Sequence, residues 1–334
     1  MPWRKKLPKN QLLAYIALAV ATVIWGSASP VIKVTLGYIP PLTFLFLRFL
    51  ISSIILLPFL VYELYKVEID KRDYLNLFLF GLFEQTALVL IFVGLEYTTV
   101  LESVIIGVLG SILAISAGHY FYNEKFNSKV KLGLVISVIG TLMVVVEPVI
   151  FGNFHNVKMV ERLFGNLLIL LYNITWVIYI IWSKFSIGNE SSSILKKTLS
   201  FVHLKPMKKN YSATLLTATA LLVGLITVMP LALLENMGLL GRVVIPFDIL
   251  AIKPVGILGL LYMSVLSSVV AYSIYQWSLE YVTVSDTAFF GYMAPIFTLP
   301  VSYILLGESL SWPMLVGVLV IALGVIIAEK NLRS

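Results

Sequence analysis

Ten apolar stretches, each long enough to cross a hydrocarbon layer, leave this chain of 334 residues almost no other fold to adopt. They lie near 12–34, 42–61, 75–95, 100–121, 130–149, 164–185, 213–234, 255–277, 284–306 and 312–328. A bilayer core about 30 Å thick takes roughly 20 apolar residues per helical crossing. Inside it every backbone amide must be paired within its own segment, so each stretch is expected to be a helix. The expected fold class is an all-α polytopic membrane protein. Composition agrees, with 59% hydrophobic and 12% charged residues where soluble domains average about 25% charged. Little chain remains for a separate soluble catalytic domain. The absence of Cys excludes disulfides and thiolate chemistry, and His occurs only three times.

The formal charge of +7 reads as topology rather than as nucleic-acid binding. With the N-terminus inside, 18 Lys and Arg fall on that side and 4 on the other, while Lys33 and Arg48 lie within spans. Basic residues gather in cytoplasmic loops, so both termini are expected in the cytoplasm of a multi-pass protein of the cell (inner) membrane. Arg4-Lys5-Lys6 before an apolar run also fits a leader cut at Ser27-Ala28-Ser29, but that run is long enough to span and Trp25-Gly26 crowd the cut. The break at 186–212, rich in Ser and Lys, is expected to be a solvated linker that enforces topology, with an anionic-lipid-binding surface helix as the alternative. Asn189-Glu190-Ser191 matches a glycosylation pattern but should face the cytoplasm.

The last three spans of each half align at an ungapped offset of 184 residues. Ala87 meets Ala271, Glu96-Tyr97 meets Glu280-Tyr281, Glu102 meets Asp286, Gly107 meets Gly291, and Glu124 meets Glu308. Gly133 meets Gly317 and Gly140 meets Gly324. The first spans match at offset 151, pairing Trp25 with Trp176 and Lys33 with Lys184; the second match at 172, pairing Glu63 with Glu235. Five spans per repeat is an odd number, so the second repeat enters the membrane from the opposite side. The architecture expected is ten transmembrane helices as two inverted five-helix repeats. The first repeat proper covers 12–149, inside a leading stretch 1–185, and the second covers 164–334, interrupted by the basic cytoplasmic linker 186–212. Inverted repeats of this kind characterise secondary transporters, with substrate near the bilayer midplane.

Trp25-Gly26 with Lys33, the run Pro41 to Arg48, the Tyr97-Thr98-Thr99 hairpin, Glu124 before Gly133 and Gly140, and Pro295, Glu308, Gly317 and Gly324 resemble the EamA-like branch of the drug/metabolite transporter superfamily. The resemblance covers the chain apart from the linker and termini. It implies that Trp25 and Trp176 line a central cavity. One departure stands out: Ser111 occupies the position that matches Pro295, so spans 4 and 9 are expected to bend differently.

Glu84 and Gln85 lie at the centre of span 3. A carboxyl at mid-membrane costs about 2.5–3.5 kcal/mol on insertion scales, so it is expected to face a partner or a wet cavity. Arg48 is the candidate partner, either in a structural ion pair or as the second member of a coupling pair with Glu84. Tyr172, Trp176 and Tyr179 recur at helical spacing on one face of span 6, and Ser268, Tyr272 and Tyr275 on a face of span 8 with Gln276 beside it. The candidate substrate-binding set is therefore Trp25, Glu84, Gln85, Tyr172, Trp176, Tyr179, Ser268, Tyr272 and Gln276. Each has a plain structural alternative, since aromatic stripes pack and intrahelical Ser hydroxyls bond their own carbonyls. Lys33 and Lys184 are expected to snorkel to opposite interfaces, and Glu124 and Glu308 to sit beside helix caps.

The function expected is secondary active export of small organic metabolites such as amino acids, one half rocking against the other around a fixed site. The partners expected are a small-molecule substrate, the lipid bilayer and protons as coupling ion, with no catalytic residue, metal, cofactor or nucleic acid. No Walker-type loop is present, which argues against ATP hydrolysis. The alternatives are an organic-phosphate or nucleotide-sugar exchanger, which would want deep Lys or Arg, and a membrane enzyme or flippase acting on lipid-linked substrates.

Overall fold

The computed structural model describes residues 9–124, 127–147, 157–187, 191–201, 207–240, 248 and 252–332. Arg4-Lys5-Lys6 and Asn189-Glu190 lie outside them. The first repeat comprises α1 (Lys9–Thr35), α2 (Pro41–Lys66), α3 (Tyr74–Tyr97), α4 (Val100–Tyr122) and α5 (Ser128–Val145). The second comprises α6 (Val157–Ser186), α8 (Ala213–Asn236), α9 (Pro254–Ser278), α10 (Val284–Leu306) and α11 (Trp312–Leu332), with a short α7 (Ser193–Phe201) in the linker. Nine of the described helices are long and apolar enough to cross a membrane, and Trp312–Ala328 is a shorter apolar helix. Helix α6 starts at Val157, ahead of the expected 164, because the polar turn carrying Glu161 and Arg162 stays helical: Arg162 reaches Glu102 at 2.8 Å and Glu147 at 3.2 Å.

The helix ends follow from local chemistry. Pro41 begins α2, where its missing N–H is not needed. The hairpins between α3 and α4 and between α9 and α10 end in repeat-related capping boxes, Thr99 with Glu102 and Thr283 with Asp286. Gly307 closes α10 at φ 66°, a left-handed position that glycine takes without strain. One stretch of α9 departs from α geometry: residues 262–271 form a π-helix. Such turns are rare and cluster at functional sites.

The packing exchanges the repeats pair by pair. Helix α1 packs on α9 and α10 as α6 packs on α3 and α4; α2 meets α9 as α8 meets α3. The pairs α2–α8, α4–α10 and α5–α11 each join equivalent helices. The two repeats are therefore interleaved. Helices α5 and α11 cross where a side chain would not fit: a Cβ on Gly133 would lie 2.5 Å from the Gly324 carbonyl, and one on Gly140 would lie 2.9 Å from that of Gly317. Such close backbone approach is what drives helix association in lipid. Each glycine thus meets the repeat mate of the other.

Four carboxylates tie the ends of the crossing pairs. Glu235 of α8 accepts from the Leu42 and Thr43 amides that open α2 at 3.1 and 2.8 Å, while its mate Glu63 of α2 accepts from Ser212, the N-cap of α8, at 2.8 Å. Glu308 of α10 accepts from the Val100 and Leu101 amides that open α4, both at 3.0 Å. Its mate Glu124 accepts from the Val284 and Ser285 amides of α10 at 2.7 and 3.0 Å. Glu235, Glu308 and Glu124 place negative charge on the unpaired amides of a helix N-terminus, and Glu63 reaches one through its N-cap hydroxyl.

The lysines do not snorkel. Lys33 of α1 donates to the Leu95, Glu96 and Thr98 carbonyls at the end of α3, at 2.6, 3.2 and 2.9 Å. Lys184 of α6 is buried and donates to Leu279 O at 2.8 Å and to Val282 O, at the end of α9. A lysine at a helix C-terminus bonds its last carbonyls and complements the negative end of the helix dipole.

The basic linker is docked rather than free. Asp73, fully buried, accepts from the Lys208 and Lys209 amides and from the Tyr211 hydroxyl at 2.7 Å. Burial and the Asp73 carboxylate push the Tyr211 hydroxyl up to about 12, which keeps it a neutral donor at physiological pH. Lys208 also holds Asp70 at 2.8 Å, and that hydrogen bond keeps the Asp70 carboxyl below its usual range.

Candidate functional site

A cavity of about 210 Å³ opens where the repeats meet, walled by α1, α3, α4, α6, α9 and α10, with Arg48 from α2. Its centre is aromatic. Trp25 and Trp176, equivalent positions in the two repeats, meet edge to face with ring centroids 5.6 Å apart. Tyr272 and Tyr275 each lie 5.0 Å from Trp25 and 6.0 Å from Trp176, and Tyr172 lies 6.2 Å from Trp176. Trp25 Nε1 donates to Ser267 O at 3.2 Å, which fixes the indole against the π-helical part of α9.

Of the residues singled out from the sequence, Trp25, Tyr172, Trp176, Tyr272 and Tyr275 line this cavity, together with Arg48. The others stand one layer behind. Tyr179 packs on Phe80, with centroids 5.1 Å apart, and its hydroxyl lies 3.4 Å from Gln276 Oε1, which also accepts from Ser183 at 2.7 Å. Ser268 is buried beneath Arg48, whose Nε donates to its hydroxyl at 2.6 Å. Glu84 and Gln85 are buried in the wall of α3. Glu84 lies within electrostatic reach of Arg48 and of Tyr272, both of which line the cavity. Among the described residues Arg48 forms no ion pair with a carboxylate, and the structural Glu84–Arg48 pair held open above is not made at contact distance.

Sequence reasoning missed Asn173, Ser267 and the small residues of α4 and α10. Asn173 lines the cavity and accepts from the Gly110 amide at 3.1 Å. A polar residue at mid-span is the same signal that marks Glu84. Ser267 faces the site because the π-helix rotates the segment, which no hydrophobic periodicity registers. Ser111 and Gly291 face each other where α4 crosses α10, since a Cβ on Gly291 would collide with the Ser111 hydroxyl. Among the described residues no group of three His, Asp or Glu is arranged to hold a metal.

A bundle of membrane-crossing helices, duplicated and wrapped around an aromatic cavity at the junction of its repeats, defines a membrane transporter. The model of the EamA-like transporter family matches it twice, over residues 12–146 and 163–329. The chain belongs to that family. The uncharacterized transporter YyaM of Bacillus subtilis (strain 168) is 23% identical over 97% of this chain and 96% of its own length. An uncharacterized transporter of Archaeoglobus fulgidus is 23% identical over 93% of this chain and 95% of its own. A solved crystal structure superposes with a TM-score of 0.58 at 15% identity, covering 97% of this chain and 99% of that one, a likeness of fold alone.

Proposed function

We propose that this protein is a secondary active transporter of the cell (inner) membrane that exports small amphipathic organic metabolites, amino acids among them, by alternating access. The observation that carries the reading is the cavity at the junction of the repeats, where Trp25 and Trp176 meet Tyr272 and Tyr275 around about 210 Å³. That volume is below the roughly 300–1,000 Å³ of pockets for drug-sized ligands, which supports a small solute. Arg48 is the one charged residue among the described lining residues. A phosphate or nucleotide-sugar exchanger would want more cations there.

The test is uptake and efflux by the full chain in proteoliposomes against a panel of amino acids and related solutes. Trp25→Ala and Trp176→Ala are each expected to weaken substrate affinity about tenfold or more while the amount of folded protein in membranes holds. A Trp that serves packing alone would instead cost about 3–5 kcal/mol of stability when truncated. Loss of folded protein with unchanged affinity in what survives would overturn the cavity reading.

Orientation is tested separately. The 18 to 4 distribution of Lys and Arg supports cytoplasmic termini and a cytoplasmic linker. Reporter fusions after Lys9, within 186–212 and after Arg333 should all give a cytoplasmic signal. An external linker would sink the inverted topology.

A further inference from the structure

Arg48 is 1% exposed and, among the described residues, has no carboxylate in contact. A guanidinium carries five N–H donors and no acceptor. Here Nε is used on the Ser268 hydroxyl at 2.6 Å and Nη2 reaches the Ser267 hydroxyl at 3.4 Å, while Nη1 has no hydrogen-bond partner. The rings of Phe92 and Tyr272, 5.5 and 6.0 Å from Cζ, offer only their electron-rich faces. The backbone is braced so that the side chain stays put: Ser52 donates both to Arg48 O at 2.7 Å and to Ser264 O at 2.8 Å, joining α2 to the π-helical segment. That segment presents Ser267 and Ser268, neutral oxygens that orient the guanidinium without neutralising it.

Glu84 acts on Arg48 only through space, without contact; a buried cation that no carboxylate touches is costly, and its natural complement is a planar group with two acceptor oxygens. The guanidinium borders the cavity beside its aromatic wall. We propose that Arg48 is a substrate-binding residue, and that its guanidinium anchors a carboxylate of the transported solute while the four aromatic rings hold the apolar part. This rests on the reading of the cavity as the solute site, and it narrows that reading to carboxylate-bearing solutes. A phosphate dianion is a poorer match, because one guanidinium carries a single charge. Serine alone in this place would accept a neutral amide equally well; the arginine is what discriminates.

The experiment is calorimetric titration of the purified full chain with two matched pairs, L-leucine against L-leucinamide and 4-methylpentanoate against 4-methylpentanamide. Each pair differs by exchange of a carboxylate for a neutral amide. In the wild-type protein the acid of at least one pair is expected to bind about thirtyfold more tightly than its amide, the scale of a charge-assisted hydrogen bond. In Arg48→Gln that preference should fall to near unity, and Arg48→Lys should keep part of it. If Arg48→Gln does not accumulate as folded protein, Arg48→Gln/Glu84→Gln, which removes both buried charges, takes its place. Equal binding of acid and amide to the wild type, or binding of the amides alone, overturns the anchor while leaving the cavity a solute site. A preference that survives in the Gln variant overturns it as well. Binding of none of the four compounds overturns both the anchor and the reading of the cavity.

Discussion

Glu84→Gln is expected to abolish solute accumulation driven by a pH gradient while leaving exchange down a solute gradient largely intact. Glu84 is 1% exposed near the middle of α3, and its Oε1 has no hydrogen-bond partner. The groups that face it come from three other helices: Arg48 from α2, Tyr179 from α6 and Tyr272 from α9. A carboxyl in such a place either carries its charge against the cost of burial or takes up a proton. The choice alters the field at Arg48 and Tyr272, both of which border the cavity. Gln has the shape of the protonated acid and cannot change state, so the carrier should still exchange solute but lose its response to protons. The measurement is accumulation in proteoliposomes with pH as the only energy source, beside counterflow at equal pH. A Gln variant that still concentrates solute from pH alone removes Glu84 as the coupling group.

Neutralising either bridging lysine should unlatch one face of the bundle and leave the other closed. Lys33 joins α1 to the end of α3, and Lys184 joins α6 to the end of α9. Because α1 packs with α9 and α6 with α3, each lysine bridges two packing units, at opposite ends of the bundle. Each gives up hydrogen bonds to charged groups worth about 1.5–3 kcal/mol, enough to move a population about ten- to a hundredfold. The chain has no Cys, and a Cβ at Gly107, on the cavity wall, would meet nothing within 4 Å. Gly107→Cys is therefore a reporter that a thiol reagent reaches only through an open face. Lys33→Met should raise labelling from the side of the α3–α4 hairpin, and Lys184→Met from the side of the α9–α10 hairpin. Unchanged labelling in both would make the lysines static caps.

What could be read from the sequence divides along physical lines. Span number, the duplicated order and the aromatic face of span 6 come from composition and spacing, which act along one helix at a time. The meeting of Trp25 with Trp176 followed from the repeat, because residues equivalent under a twofold axis meet when they lie near it. The lysine contacts did not follow, since snorkelling and capping of a distant C-terminus demand the same residue at the same depth. Nor did the division of the candidates into a lining and a layer behind it. Tyr172, Trp176 and Tyr179 share a face by spacing, yet the cavity reaches only the first two, because Gln276 of α9 and Phe80 of α3 engage the third. The π-helix was illegible for a related reason: it is a response to tertiary packing and leaves the hydrophobic pattern of α9 unchanged.

The carboxylate ties come in exchanged pairs, Glu235 with Glu63 and Glu308 with Glu124, one member of each at either end of the bundle. Turning the molecule over returns nearly the same set of bonds. The ties themselves therefore favour neither end of the bundle. Any built-in bias must then reside in the positions where the mates differ: Ser111 against Pro295, Glu102 with its Arg162 against Asp286 with its Tyr15, and a docked linker that has no counterpart on the far side.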